Sequence, residues 1–499
     1  MKYRNLAIIS IILLAVVGIA FSNFEFKEKR YHQHLEAKVR PEDVVTTDEF
    51  ATHLPIIDIK TEAAIPPSHK ERKDENGKIV KEKNYDVVKS SVKYIQNKST
   101  ENKRGDNPVF TTNAYIRTRG RSSRSFDKKG YWLEFQNDDF SKNRDIEIDG
   151  MVADSDWVLH GPFLDKTLIR NYIAYNIVGE IMEYSPEVRF CELFLNDEYQ
   201  GLYLIVEKIN YNKEGRINIT KTDPKSRETS FILKLDEGYA DEAHKLSTFY
   251  DESGKRGISK RDFEKFIISY PSSTLTINQH GYIKEEVSKF EKTLSSFDVN
   301  NKKHGYKRYI DINSFVDYFV INEFFMNVDA GRLSTYYIKD IRGKIKMVGW
   351  DYNNIFNNYF NDMTDIHEIY STNVWFGYLL RDKEFVQKVV TRYEELRKTY
   401  FSEEYLNNYI DETVIYLGKA IDRNYEKWGY TFTKKYNENK NVRRLKPIDR
   451  NPNSHEEAIN YLKENIKIHA NYLDENIYNL YARCHDSINK QYRLEVVKK

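Results

Sequence analysis

Two aspartates in the second half of the chain have a spacing that suits phosphoryl transfer. Asp329 follows a helix-like run, Asn313–Phe325, and Asp351 follows a short strand-like run, Ile345–Gly349. In protein kinases, one acid on a loop orients the substrate hydroxyl, and a second acid placed after a short hairpin holds magnesium. The alternative is a purely structural role, in which Asp329 belongs to the C-terminal turn of a helix and Asp351 caps a loop.

A polar loop in the first half of the chain is suited to binding phosphate oxygens. It combines guanidinium groups, hydroxyls and glycine backbone, which are contributed by Arg119, Gly120, Arg121, Ser122 and Ser123. Lys128 and Lys129 open the next strand, which is where a kinase needs a lysine for the α- and β-phosphates. The alternatives are a solvated basic hairpin loop and a charged strand edge. Glu207 ends another apolar strand, either as the partner of a buried cation or as an ordinary strand end.

The elements that carry these residues predict an α+β fold. The part from residue 51 to 240 is rich in strand patterns and contains one helix, Asp165–Met182. The part from 241 to 375 carries both acids and one hairpin, and 376–499 is helical by periodicity. We therefore expect a two-lobed architecture with a helical C-terminal region.

Composition excludes several classes of protein. The 499 residues include 78 Lys plus Arg against 76 Asp plus Glu, and this balance argues against a dedicated nucleic-acid binder. With 40% hydrophobic and 14% aromatic residues, the chain has a globular composition. The two cysteines, Cys191 and Cys484, are far apart and form no CxxC pair, so we expect no cysteine-based zinc site.

The N-terminus predicts export. Lys2 and Arg4 precede an uncharged run, Leu6–Phe21, as in a signal peptide or a membrane anchor. We assign residues 1–24 to this segment and 25–50 to a charged tether. The body is then extracytoplasmic, either secreted or held at the membrane by the segment if it is not cleaved.

Several blocks of the sequence, in a consistent order, resemble the CotH kinase family, which is named for a spore-coat protein. The similarity runs from about Leu54 to about Leu480. The matching blocks are Arg119–Ser123 with Lys128-Lys129, Asp156–Leu159, Asp165-Lys166 with Arg170-Asn171, Glu192–Asn196 with Tyr199–Gly201, Glu207-Lys208, Asp329 with Ser334-Thr335, and Trp350-Asp351.

This resemblance implies an atypical protein-kinase-like, two-lobed fold. It also implies a kinase that uses ATP and Mg²⁺ or Mn²⁺ to phosphorylate Ser or Thr of partner proteins. Asp329 would be the catalytic acid and Asp351 a metal ligand. Asn353 stands where the family often has a second Asp, and its amide oxygen can still bind the metal. The Arg119–Ser123 loop would cover the nucleotide and Lys128 or Lys129 would bind phosphate. Asn176 replaces an acid common in the family, which leaves Glu180 and Glu207 as candidate partners of that lysine.

Three functions remain open from the sequence. The first is a kinase acting on secreted or surface proteins rich in Ser or Thr, or on a surface polymer. The second is a pseudokinase-like surface or spore-coat assembly protein that binds without turnover. The third is a carboxylate-pair hydrolase of wall glycans, which predicts no nucleotide binding.

Overall fold

The part of the chain that the structure describes contains eighteen strands, of which Phe110–Arg119 and Gly130–Gln136 show clear alternation of more and less buried residues. The computed structural model describes residues 29–45, 49–66, 69–73, 79–83, 86–120, 122–212, 215–237, 242–254, 264–297, 299–359, 365–369, 374–439, 445 and 448–485. The strands are β1 Ala51–Thr52, β2 Ile56–Thr61, β3 His69–Lys73, β4 Ile79–Lys83, β5 Val88–Ile95, β6 Asn102–Lys103, β7 Phe110–Arg119, β8 Gly130–Gln136, β9 Ile146–Ile148, β10 Met151–Asp154, β11 Asp156–His160, β12 Val188–Leu195, β13 Glu198–Glu207, β14 Phe231–Glu237, β15 Lys245–Leu246, β16 Glu264–Tyr270, β17 Thr335–Lys339 and β18 Lys346–Val348.

Eleven α-helices occur in the same described residues, and most of them follow residue 270. They are α1 Gln33–Glu36, α2 Arg170–Ile181, α3 Phe249–Glu252, α4 Ile277–Leu294, α5 Ile312–Phe324, α6 Val374–Leu379, α7 Lys383–Arg397, α8 Glu403–Leu417, α9 Lys419–Trp428, α10 Lys434–Glu438 and α11 His455–Asn476. Side-chain caps start several of them: Asp311 accepts the N–H of Ser314 at the start of α5, and Ser454 accepts that of Glu457 at α11. The mixed α+β class is therefore confirmed.

Seven strands of the first half close into a barrel in the order β11-β13-β12-β2-β5-β7-β8. β2 and β12 run parallel, and the other neighbouring pairs are antiparallel. Trp157, Leu133 and Phe135 are among the fully buried side chains of the barrel's own hydrophobic cluster. A filled barrel is a stiff support for the loop that leaves β7 at Arg119.

A second sheet has the strand order β15-β16-β14-β17-β18, and all of its pairs are antiparallel. Its apolar residues share one continuous hydrophobic core with α2 and the helices of the second half. β14 ends at Glu237, yet it pairs with β16 and β17, which follow residue 240. The predicted boundary at residue 240 therefore cuts through one sheet, because pairing between distant strands leaves no local signal in the sequence.

The segment at the start of the described chain is packed and not extended. His32 is fully buried, and its ring nitrogens lie 2.6 Å from Tyr409 Oη and 3.2 Å from Glu180 Oε1. The Gln33 side chain bonds both the N–H and the carbonyl of Phe190. The predicted tether over 25–50 is thus wrong for residues 32–36, because their polar side chains find partners in the core. The predicted export segment 1–24 lies outside the described residues, and within those residues no helix has the length and apolar character to span a membrane.

Candidate active site

Asp351 stands on a loop that begins where the β17–β18 hairpin ends. Its backbone has a φ of 64°, a left-handed conformation that residues other than glycine seldom adopt. The Asp351 N–H donates a hydrogen bond to the Tyr175 hydroxyl at 3.2 Å, and Ser334 Oγ donates to Asp351 Oδ2 at 3.3 Å. Both the backbone and the carboxyl group of Asp351 are therefore held in place.

Helix α2 positions the rest of this loop. Asn171 Oδ1 accepts the N–H of Tyr352 at 2.8 Å, and Arg170 Nε donates to the carbonyl of Ile355 at 3.1 Å. Asn171 and Tyr175 are four residues apart and so lie on the same face of the helix. The sequence resemblance included Arg170 and Asn171 but gave them no role. The signal that could have revealed a role is that these two adjacent polar residues open a mostly apolar helix, in which both are buried.

Asp329 lies in the turn that follows α5, beside the Asp351 loop. Asn354 Nδ2 donates to Asp329 Oδ2 at 3.3 Å, and Arg332 Nη2 lies 3.6 Å from Oδ1. Oδ1 is enclosed, and no group in the described part of the chain donates a hydrogen bond to it. Burial raises the pKa of Asp329, and the charge of Asp236 adds to this effect. A carboxylate with an unfilled acceptor is suited to receive a hydrogen bond, and then a proton, from a hydroxyl.

The two acids belong to one electrostatic cluster. The pKa of Asp351 is raised to about 6, chiefly by burial; the charges of Asp329 and Asp236 contribute to this rise, whereas Arg119 and Lys234 oppose it. Such interactions require proximity, so the structure brings Asp329, Asp351 and Arg119 together as the sequence suggested. Their roles in a reaction remain predictions.

Lys234 and Asp236 are the members of the cluster that sequence reasoning missed. They are two residues apart on β14, so their side chains point to the same face of the sheet, and they form an ion pair. Lys234 pairs with Tyr336 on β17, and its Nζ lies 5.7 Å from the centre of that ring. Burial lowers the pKa of Lys234, but Tyr336 and Asp236 outweigh it, so the pKa lies above its usual value and the ammonium stays charged. Across the cluster, the Arg119 guanidinium lies 5.6 Å from the centre of the Trp350 ring.

The acids fit a divalent metal that is bound together with a nucleotide. Within the described residues, no group of three or more His, Cys, Asp or Glu side chains is placed to hold a metal ion. Mg²⁺ usually binds one or two carboxylates plus substrate phosphates, so a complete protein cage is not required. Oδ1 of Asp329, which accepts no hydrogen bond in the described part of the chain, and the raised pKa of Asp351 are both features that a nearby cation would relieve. Asn353 is linked to Asp329 through Asn354, to which it donates at 2.9 Å.

The predicted phosphate loop is only partly described. Gly120 has a φ of 104°, and its carbonyl accepts a hydrogen bond from Arg124 Nε at 2.7 Å. A short 3-10 helix, Ser122–Ser125, follows it, and the carbonyl of Ser123 accepts the N–H of Phe126. Arg121 lies outside the described residues. Of this loop, Arg119 is the residue whose charge acts on Asp351.

The two predicted phosphate lysines contact other groups. Lys128 is buried, and its Nζ donates to the Leu202 carbonyl and to Asn424 Oδ1, both at 2.7 Å. Lys129 Nζ donates to the Arg124 carbonyl at 2.9 Å. In the described residues, neither lysine forms an ion pair with Asp329 or Asp351. Because backbone and amide oxygens already occupy it, the Lys128 ammonium serves the packing of α9 on β13.

The candidate partners of that lysine are also occupied. Glu207 forms an ion pair with Arg216 at 2.7 Å and accepts the N–H of Glu187, so it is the partner of a cation, but not of a predicted lysine. Glu180 contacts His32. Asn176 is fully buried, and neither atom of its amide has a hydrogen-bond partner in the described part of the chain.

Comparison with known families identifies the family of this chain. A family model described as CotH kinase protein matches residues 116–487, which is most of the chain. The matched range begins near the end of β7 and includes both acids, Lys234 and helix α2. A search of curated proteins finds no match for the sequence.

Proposed function

We propose that this chain, which belongs to the CotH kinase family, transfers the γ-phosphate of ATP to Ser or Thr hydroxyls of surface or secreted proteins. The observation that carries the proposal is the cluster in which Asp329 and Asp351 lie near each other and near two cations, Arg119 and Lys234. Phosphoryl transfer depends almost entirely on positioning and on neutralising phosphate charge, and this cluster contains groups for both tasks.

Each residue has a distinct task in this proposal. Asp329 accepts the hydrogen bond of the acceptor hydroxyl at its unfilled Oδ1 and then takes its proton. Asp351, with the amide oxygen of Asn353, would hold Mg²⁺, which supplies charge neutralisation on the phosphates when it is bound. Arg119 and Lys234, whose charges both act on Asp351, bind phosphate oxygens. Asn171 keeps the Asp351 loop in place through the N–H of Tyr352.

The Asp329→Asn variant tests this proposal, because it keeps the shape of the side chain but removes its charge. We expect phosphate transfer from labelled ATP to a Ser-rich peptide to fall by about two to four orders of magnitude, the usual contribution of a general base. ATP affinity, titrated on the same preparation, should stay within a few-fold. Full transfer activity in the variant would remove Asp329 from the mechanism.

A binding-only protein is the second candidate. It is favoured by Asn176, which stands on α2 where the family commonly has an acid and leaves the site without a lysine–carboxylate pair contributed by that helix. A surface or coat assembly role then needs nucleotide binding without turnover. If the parent protein binds ATP and magnesium but transfers no phosphate with any metal or acceptor, this candidate replaces the kinase.

The proposal places the body outside the cytoplasm, on the evidence of the basic and apolar segment at residues 1–24. A reporter that is active only outside the cytoplasm, fused after Phe24, should be active. A matched cytoplasmic reporter at the same junction should be silent. The reverse pattern would overturn the localisation.

A further inference from the structure

A cavity of about 210 Å³ is lined in part by the end of the loop that carries Asp351. We propose that this cavity binds a small oxyanion such as phosphate. Its wall comes from the start of α2, the end of the Asp351 loop and helix α11, and the residues used below are Lys166, Arg170, Asn357, Ala458, Asp449 and Glu464.

Two buried cations form the floor of the cavity. Arg170 is 5% exposed; its Nη1 donates to Asp165 Oδ1 at 2.5 Å, and its Nε donates to the Ile355 carbonyl. No group in the described part of the chain accepts a hydrogen bond from its Nη2, which is not among the enclosed polar atoms, and Arg170 lines the cavity. Lys166 is 9% exposed and donates from Nζ to the Phe163 carbonyl and Thr431 Oγ1, and its third N–H has no acceptor among the described residues.

The charge of the floor is only partly compensated. Burial lowers the pKa of Lys166 to about 7, although Asp165 and Asp127 act against this. The acids of the cavity, Asp449 and Glu464, are exposed at its mouth, where water screens them. A buried cation that lacks a full set of partners is stabilised by an anion, and unfilled guanidinium and ammonium donors suit the oxygens of a phosphate.

The size of the cavity limits the ligand. Pockets for drug-sized or cofactor-sized ligands are commonly about 300–1,000 Å³. A volume of about 210 Å³ suits a phosphate or a small phosphate ester better than a nucleotide. Two arginines that line the cavity donate to the backbone of the Asp351 loop: Arg170 to the Ile355 carbonyl and Arg450 to the Asn357 carbonyl. An anion bound in the cavity would therefore also restrain the Asp351 loop. The site itself does not depend on the proposed kinase reaction.

Calorimetric titration of the full chain with inorganic phosphate tests the proposal. We expect saturable binding, and a loss of about tenfold or more in Lys166→Met, since a hydrogen bond to a charged group is removed. Ala458→Leu, which narrows the cavity and touches neither cation, should weaken binding as well. The matched control is Lys434→Met, because Lys434 is exposed on α10, and it should bind as the parent does.

Amide hydrogen exchange locates the bound phosphate. Exchange at residues 352–358 should slow on phosphate addition in the parent and in Arg119→Ala, which loses any phosphate held at the acid cluster. Absence of binding in the parent would refute the proposal. It would also be refuted by unchanged affinity in a folded Ala458→Leu variant, or by protection that disappears in Arg119→Ala but persists in Lys166→Met.

Discussion

Replacing Asp351 with asparagine should stabilise the metal-free protein while it destroys the site. The pKa of this carboxyl is raised from 3.8 to about 6, chiefly by burial, so the folded state disfavours its charged form. A shift of roughly two units corresponds to a cost of about 3 kcal/mol at neutral pH, at about 1.4 kcal/mol per unit. Asparagine fills the same space without the charge and can still accept the hydrogen bond from Ser334. We therefore expect Asp351→Asn to raise the free energy of unfolding by up to that amount at pH 7.5.

The pH dependence distinguishes this explanation from a general gain in packing. Between pH 4 and pH 6 the folded state holds the Asp351 proton more tightly than the unfolded state does, so the parent loses stability as pH rises. Below pH 4 both states are protonated, and the advantage of Asp351→Asn should vanish. The assay is urea unfolding of parent and variant at pH 7.5 and 4.0 without metal, with equal m-values required. An equal difference at both pH values, or no difference at pH 7.5, would refute the reasoning.

Lys234→Met should weaken ATP binding per folded molecule by about tenfold or more, since a charged phosphate contact is lost; it also breaks the ion pair with Asp236 and so lowers the melting temperature. Lys128→Met should keep ATP affinity per folded molecule, while it leaves the buried Leu202 carbonyl and Asn424 unpartnered, at a cost of about 1–3 kcal/mol in unfolding free energy. If the two effects on ATP affinity are exchanged, Lys128 is the phosphate lysine after all. Arg119→Ala removes a charge that lowers the pKa of Asp351. The pH at which magnesium-dependent ATP binding is half lost should then move above that of the parent; a titration series from pH 5 to 8 measures it, and an unchanged midpoint would contradict the contact.

The hairpin that presents Asp351 could be predicted because its signals are local. The sequence predicted a hairpin in this part of the chain with a strand over Ile345–Gly349, and the structure has β17 at Thr335–Lys339 and β18 at Lys346–Val348. The helix predicted over 165–182 is α2, which begins at Arg170 because Asp165 accepts the backbone N–H of Arg170 before the helix starts. Alternation and periodicity determined these elements without reference to the rest of the chain.

The proposal of Lys234 as the phosphate-binding lysine could not be made from the sequence in this way. Lys128 and Lys234 both stand at or near a strand, each with an aromatic ring nearby. What separates them is the pairing of β14 with β17, which sets Lys234 opposite Tyr336 and close to the acids. That pairing joins residues about a hundred positions apart, and no local pattern encodes it. The role of Asn171 was missed for the same reason, because its partner is the backbone of Tyr352.

The number of hydrogen-bond partners distinguishes charged side chains with a structural role from those with a functional role in this fold. Lys128 is buried and its ammonium has two good acceptors at 2.7 Å, so it has little capacity to bind anything else. Asp329 is mostly buried, yet its Oδ1 accepts no hydrogen bond within the described chain. Asp351 has both an unfavourable backbone conformation and an unfavourable charge, and it is held there by Tyr175 and Asn171. A fold keeps such costly groups only where surrounding contacts enforce them, which is characteristic of sites that bind a ligand. The two acids thus meet a physical criterion for function that the predicted lysines do not.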